Sequence, residues 1–293
     1  MEVYNINKIV PDPKHLSLIN QMAAKTEGMI AVTGWEGSGK TSTLVSIAGV
    51  VAESGRTINV IYPDNSEISE QLPDRENLPG TWNLFKTDES SEALQKTLQT
   101  ITNPDEALLF LGLDEAWIKA ALDRAIQGYL TLINFNCAPF GDGAETMYVN
   151  GVLNALHKMG MSTADIAAGL AGISTQKLVP KLCKHCRTLS TGALSELQQL
   201  FPEAANLQKM WVAPGTPECK KCNKIGLLGR FAIYEQLVIN EPEQEQIRQY
   251  LDSGKEPSWN SQIFMPFTDS VLYNIEAGNL GLDMFKSQVH ELL

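Results

Sequence analysis

The sequence predicts an α/β fold with a mainly parallel sheet crossed by helices, followed by a smaller helical unit. Three observations carry that prediction. Continuous apolar runs alternate with segments of helical spacing along roughly the first half of the chain. One such run opens into a glycine-rich loop and then a helix, "MIAVTGWEGSGKTSTLV". From about Gly151 the character changes to helical segments broken by two close cysteine pairs.

The elements follow in order. "IVPDPKH" reads as a loop, and a short helix runs from about Leu16 to Lys25. Met29–Thr33 is a β-rich strand, after which Leu44, Ile47, Val50 and Val51 fall at helical intervals. "TINVIYP" is a second strand, ended by Pro63. "LLFLGL" and "YLTLINF" are continuous apolar runs, as expected of strands covered on both faces. Between them Trp117, Ala120, Ala121, Leu122 and Ala125 mark a helix.

Composition bounds the function. The 293 residues suffice for one large or two modest domains with a real core. A net charge of -11 argues against a broad nucleic-acid-binding face, which needs clustered Lys and Arg. "MEVYNINKIV" lacks the basic start and apolar core of a secretory signal. The longest aliphatic runs, such as Ala107 to Leu113, are too short to span a bilayer, so membrane attachment is expected only through partners. Five cysteines, four of them in two pairs, point away from a disulfide framework and toward the cytoplasm.

Gly34, Gly39, Lys40 and Thr41 satisfy G-x-x-x-x-G-K-[ST], with a strand before and a helix after. Gly34, Gly37 and Gly39 let the backbone turn so that N–H groups around Ser38 converge on phosphate oxygens. The helix that begins near Thr41 and Ser42 adds its positive end. Lys40 is expected to neutralise the β and γ phosphates of ATP, and the Thr41 hydroxyl to ligate Mg2+. Trp35 and Glu36 sit at the loop's variable positions.

Cys183 and Cys186 form one C-x2-C knuckle, and Cys219 and Cys222 a second. Four thiolates at this spacing suit a closed structural Zn2+ site. The 32 residues between the pairs exceed the usual interval, but loop-closure entropy grows slowly with length. Lys181, Lys184, Arg187, Lys220, Lys221 and Lys224 would offset the negative charge of a zinc tetrathiolate. His185, inside the first knuckle, reads as a solvated loop residue, and Cys137 as a small buried one. The domain expectation is an N-terminal segment at 1–27, a nucleotide-binding core at 28–165, and a four-cysteine helical subdomain at 166–293.

These pieces, in this order, resemble the secretion ATPase family, the motors of type II secretion and type IV pilus assembly, over roughly residues 16–293. "TQKLVPKLCKHCR" looks like the family's glutamine-arginine-leucine-valine-x-x-leucine-cysteine segment. "ECKKCNKIGLLGRFAIYEQLVI" resembles its second knuckle and the glycine-arginine-x-x-isoleucine-tyrosine-glutamate that follows, here Gly229, Arg230, Ile233, Tyr234 and Glu235. "MPFTDSVLYNIEAGNLGLDMF" has its closing helix, glycine turn and helix. The resemblance implies a RecA-like P-loop core and a homohexamer in which ATP closes one subunit on the next. It also implies a cytoplasmic position at the inner membrane, in contact with the machine's platform protein.

The catalytic boxes depart from the family pattern. "YPDNSE" keeps Asp64 and Glu67 of the acidic box but has Pro63 where the first glutamate is expected. Counted back without gaps from Gly128, the Walker B glutamate position holds Leu111, and the following arginine position holds Leu113. Tyr129 and Asn136 stand where histidines are expected. Asp114 and Glu115 have two readings: they end a slipped strand and serve magnesium and water, or they favour a helix N-terminus. Asp64, Glu67, Asp114 and Glu115 are thus the candidate catalytic acids, and three functions compete: an active motor, a subunit that holds nucleotide with little turnover, and, remotely, an unrelated zinc-containing P-loop enzyme such as a small-molecule kinase. The family's N-terminal domain is expected to be missing, since little precedes residue 16, and Arg56, Arg75 and Arg124 are the candidate interface arginines.

Overall fold

The computed structural model describes residues 6, 10, 12–64, 78–88, 90–112, 114–136, 148–213, 215 and 218–293. In chain order its elements begin with α1 (Pro13–Ala23), β1 (Gly28–Gly34), α2 (Lys40–Glu53), β2 (Ile58–Pro63), β3 (Trp82–Thr87), α3 (Ser91–Gln99) and β4 (Ala107–Phe110). They continue with α4 (Glu115–Ile126), β5 (Leu130–Asn136), α5 (Val149–Lys158), α6 (Thr163–Gly169) and β6 (Leu170–Leu182). Then come β7 (Thr188–Leu189), α7 (Thr191–Leu200), β8 (Trp211–Val212), β9 (Leu227–Val238), α8 (Glu241–Ser253), β10 (Phe264–Met265) and α9 (Phe267–Glu276).

The main sheet runs β10-β9-β6-β1-β5-β4-β2-β3. β1 lies between β5 and β6 and is parallel to both, and the β5/β4, β4/β2 and β2/β3 pairs are parallel as well. This is the α/β architecture with a mainly parallel sheet that the apolar runs predict. Every residue of β1 and β4 is buried, which explains why these strands carry no alternation of apolar and polar residues. The two long strands β6 and β9 were not foreseen. β6 is buried along its first half, where small and β-branched residues (Ala171, Ile173, Thr175) suit a covered strand.

The chain divides into two compact units. The first comprises Met1–Gln176 and Gln236–Phe264, and the second Lys177–Glu235 and Met265–Leu293. In the first, helix ends are fixed by short side chains. Asp12 accepts from the Lys14 amide at 2.9 Å, Ser90 and Ser162 cap α3 and α6, and Asn240 forms a capping box with Glu243. Small residues let layers approach: a Cβ on Gly172 would lie 2.3 Å from the Met22 sulfur, so α1 rests directly on β6. In the second unit, the Arg187 guanidinium lies 4.6 Å from the Trp211 ring centre and donates to the Ala277 and Gly278 carbonyls, which joins the first knuckle to the end of α9. Among the described residues no helix is long and apolar enough to cross a membrane.

Candidate functional site

The glycine loop leaves the C-terminal end of β1 and enters α2. Gly37 and Gly39 have φ of 73° and 83°, values that favour glycine, and Gly39 is the N-cap of α2 without any side-chain cap. The first amides of the helix are therefore left to a ligand or to water. Gly34 is required for space: a Cβ there would sit 2.3 Å from the Gln176 carbonyl oxygen. Lys40 is buried, and its Nζ donates to the Trp35 carbonyl at 2.7 Å, across the loop. The Trp35 side chain is 47% exposed.

Two amides on the flanking strands brace this loop. Gln176 of β6 donates from Nε2 to the Ser38 carbonyl at 2.6 Å, and Asn134 of β5 donates from Nδ2 to Thr41 Oγ1 at 3.1 Å. Ser38 Oγ, Thr43 Oγ1 and Asn134 Oδ1 are buried without a hydrogen-bond partner among the described residues. Among the described residues, nothing lies within 4 Å of where a Gly37 Cβ would be. Open space beside turned glycines, unspent polar atoms and a buried ammonium fit a polyphosphate with its cation.

The candidate acids are not gathered here. Asp64 directly follows β2, three strands from β1 or about 14 Å at the usual spacing, and pairs with Lys86 at 2.5 Å. That hydrogen bond raises the Lys86 pKa. Glu67 lies outside the described residues. β4 ends at Phe110, held in register by Ile61 and Ile133, and the Leu111 amide still bonds the Ile61 carbonyl at 3.0 Å. Leu111 is 3% exposed, and a Cβ on Gly112 would lie 2.0 Å from the Trp117 ring. The strand has thus ended before the chain reaches Asp114. Asp114 is the N-cap of α4, and Glu115, in its first turn, pairs with Lys119 at 2.6 Å. Of the two readings of these acids, the geometry matches the helix N-terminus.

In the second unit, the Sγ atoms of Cys183, Cys186, Cys219 and Cys222 all lie within 4.8 Å of one another. Cys183 and Cys219 are 3.8 Å apart, and Cys186 and Cys222 3.7 Å. A metal–sulfur bond of about 2.3 Å gives a regular tetrahedron an edge of about 3.8 Å, so this cluster can hold a tetrahedral metal ion. The Gly226 amide donates to Cys222 Sγ at 3.3 Å, and Asn223 and Lys224 turn through φ of 49° and 69° to bring it there. Burial, with the neighbouring thiols adding, pushes the Cys186 thiol up to about 12. For Cys222 burial works the same way but is outweighed by the Gly226 amide and the other thiols, which bring it down to about 7. Lys181 has its pKa lowered by burial first and then by Arg187 and Lys184, so the basic residues do crowd one another beside the thiols. His185 is exposed, outside the cluster.

Comparison with known proteins fits this architecture. A family model described as "Type II/IV secretion system protein" matches residues 145–264. The Type IV pilus assembly ATPase PilB of Thermus thermophilus is 25% identical over 237 residues, covering 80% of this chain and 24% of the relative. A putative type II secretion system protein E of Escherichia coli K12 is 26% identical over 255 residues, covering 86% of this chain and 47% of the relative. The chain is thus similar to secretion ATPases over most of its length. It spans about half or less of the length of these relatives. Among solved structures, the ATPase DotB of Legionella pneumophila superposes with a TM-score of 0.60 at 16% identity, over 96% of this chain and 64% of that one. The pilus retraction motor PilT with bound ADP gives 0.57 at 17%, over 95% and 65%.

Two of the candidate interface arginines make contacts within the first unit. Arg56 is half-buried, its pKa lowered chiefly by that burial, and donates to the carbonyls of Asp105 (2.8 Å), Lys25 (3.1 Å), Thr26 (3.1 Å) and Pro104 (3.4 Å). Arg124 lies 3.7 Å over the Tyr129 ring and donates to the Ile101 carbonyl at 2.5 Å and to Gln127 at 3.0 Å. Both guanidiniums are engaged within the first unit, although Arg124 Nε has no hydrogen-bond partner among the described residues. Arg75 and Cys137 lie outside the described residues. Tyr129 is buried, and its hydroxyl donates to the Ile101 carbonyl at 3.2 Å. The residue that sequence reading missed is Asn134. Its one signal is an amide flanked by Ile133 and Phe135 within a mostly apolar strand.

Proposed function

We propose that this chain binds ATP with Mg2+ on the loop formed by Gly34, Gly37, Ser38, Gly39, Lys40, Thr41 and Ser42. In this reading it serves as the motor-family ATPase of a type IV pilus or type II secretion-like machine. The observation that carries the nucleotide half is the cradle: positive-φ glycines, an uncapped helix start and the buried Lys40 ammonium converge at the end of one parallel strand. The machine is inferred from the relatives, pilus assembly ATPases and type II secretion E proteins by name. Thr41 would ligate the magnesium, and the Lys40 ammonium would leave Trp35 for the phosphates. Magnesium, when bound, supplies charge neutralisation across the terminal phosphates. Zn2+ in the four-cysteine cluster would have a structural role. The assembly by family resemblance is a homohexamer on the cytoplasmic face of the inner membrane, docked through the platform protein.

A second reading has specific support. Leu111 is buried at the Walker B glutamate position, Asp64 is tied to Lys86 and Glu115 to Lys119, and Asp114 sits at the N-cap of α4. The chain would then be a nucleotide-holding subunit with little turnover. Calorimetry of ATP binding and a phosphate-release assay, each repeated on Lys40→Ala, separate the readings. We expect ATP binding that Lys40→Ala weakens at least tenfold, since a charge-assisted contact to phosphate is lost. Binding without release retires the active motor. No binding by the intact chain retires both readings.

A further inference from the structure

Asn134 is 3% exposed, sits in β5 beside the glycine loop, and uses only half of its amide. Nδ2 donates to Thr41 Oγ1 at 3.1 Å, while Oδ1 has no partner among the described residues. A buried carbonyl oxygen left unpaired costs about 1–3 kcal/mol, so an amide in this position implies something for it to accept from. A second buried and unpartnered oxygen, Ser38 Oγ, belongs to the same loop. In phosphate loops of this kind the magnesium is held by the loop hydroxyl together with an acidic side chain from a neighbouring strand. Here the corresponding strand, β4, ends at Phe110 and continues into buried Leu111.

Magnesium dehydrates reluctantly and keeps several waters, so oxygen acceptors around its hydration shell serve it nearly as well as direct ligands. We propose that Asn134 takes over the carboxylate's place. In this assignment, which rests on the nucleotide reading above, Oδ1 accepts from the hydration shell of the cation bound at Thr41, and Nδ2 orients the Thr41 hydroxyl. Because an amide is neutral, the cation site has one negative charge fewer than a carboxylate would give it. Metal then adds less to nucleotide affinity than it does where an aspartate holds it.

The test is calorimetry of ATP binding to the full chain in Mg2+ and in EDTA, with wild type, Asn134→Leu and Asn134→Asp. The quantity read is the magnesium-linked gain in affinity, the ratio of the two dissociation constants. Loss of an outer-shell partner should cut that gain by about 10-fold in Asn134→Leu, with affinity in EDTA unchanged. Asn134→Asp should enlarge it, and Mn2+ spin resonance on the ATP-loaded chains should follow the same order. An unchanged gain in a folded Asn134→Leu overturns the assignment. If that variant does not fold, an unchanged or smaller gain in the near-isosteric Asn134→Asp overturns it. Wild type that binds ATP equally in both buffers defeats the Asn134 assignment alone, whereas wild type that binds in neither defeats the nucleotide reading as well.

Discussion

Leu111 and Lys40 show two ways in which a single side chain limits what this site can do. Lys40 is buried yet keeps its ammonium satisfied by the loop's own Trp35 carbonyl, a contact that a phosphate group can replace with a stronger, charge-assisted one. Leu111 does the opposite, filling the position just after β4 with buried hydrocarbon. The consequence is testable. Leu111→Glu would place a carboxylate in an apolar layer, which costs stability unless a cation pairs with it. In the absence of nucleotide its melting temperature should fall by several degrees, for an expected loss of about 1–3 kcal/mol. Mg2+-ATP should restore more stability to the variant than to wild type. Equal melting temperatures with and without nucleotide would show that position 111 does not face the cation site.

At the scale of elements, α4 and α6 present like charges to one another. Asp123 of α4 has its pKa raised, first by partial burial and then by Asp165 of α6, with Lys119 acting in the other direction. Because the folded-state pKa lies above the unfolded one, folding favours the protonated acid. That contribution is fully present below the ordinary value of 3.8 and is lost as pH rises through the folded pKa. Asp123→Asn should therefore raise the melting temperature at about pH 7, modestly because the carboxyl is largely exposed, and leave it unchanged near pH 3. A variant less stable at neutral pH would show that the carboxylate is held by something else. The elements themselves were unequally legible. β1, β2, β4 and β5 announced themselves as short apolar runs, and the loop by a fixed local spacing. β6 did not, because Lys177, Pro180 and Lys181 interrupt its second half and resemble loop residues. Nor could Asn134 and Gln176 be placed at the loop, since only the order β6-β1-β5 brings residues so distant in sequence beside Ser38 and Thr41.

Over the whole molecule, charge is segregated in a way that total composition conceals. Residues 177–235 hold nine basic and four acidic side chains, while the rest of the chain holds 14 basic and 30 acidic. The basic excess surrounds the four thiols, which would carry a formal charge of about -2 when they hold zinc as thiolates. Without the metal, Lys181, Lys184 and Arg187 repel one another, and the buried thiols contribute only weak S–H contacts and the Gly226 amide bond to Cys222. Metal binding would then supply a large part of the folding free energy of this unit. Elemental analysis should give about one zinc per chain, by four-thiolate stoichiometry. Dialysis against a strong chelator should strip hydrogen-exchange protection from the amides of Cys183, Lys224 and Ile225, which bond within the knuckles to Gly226, Cys219 and Cys222. Amides of β1, paired on both sides in the parallel sheet, should keep theirs. If the chelated chain protects the knuckle amides as well as the untreated one, the four cysteines hold together by packing alone, and the basic residues around them need another explanation.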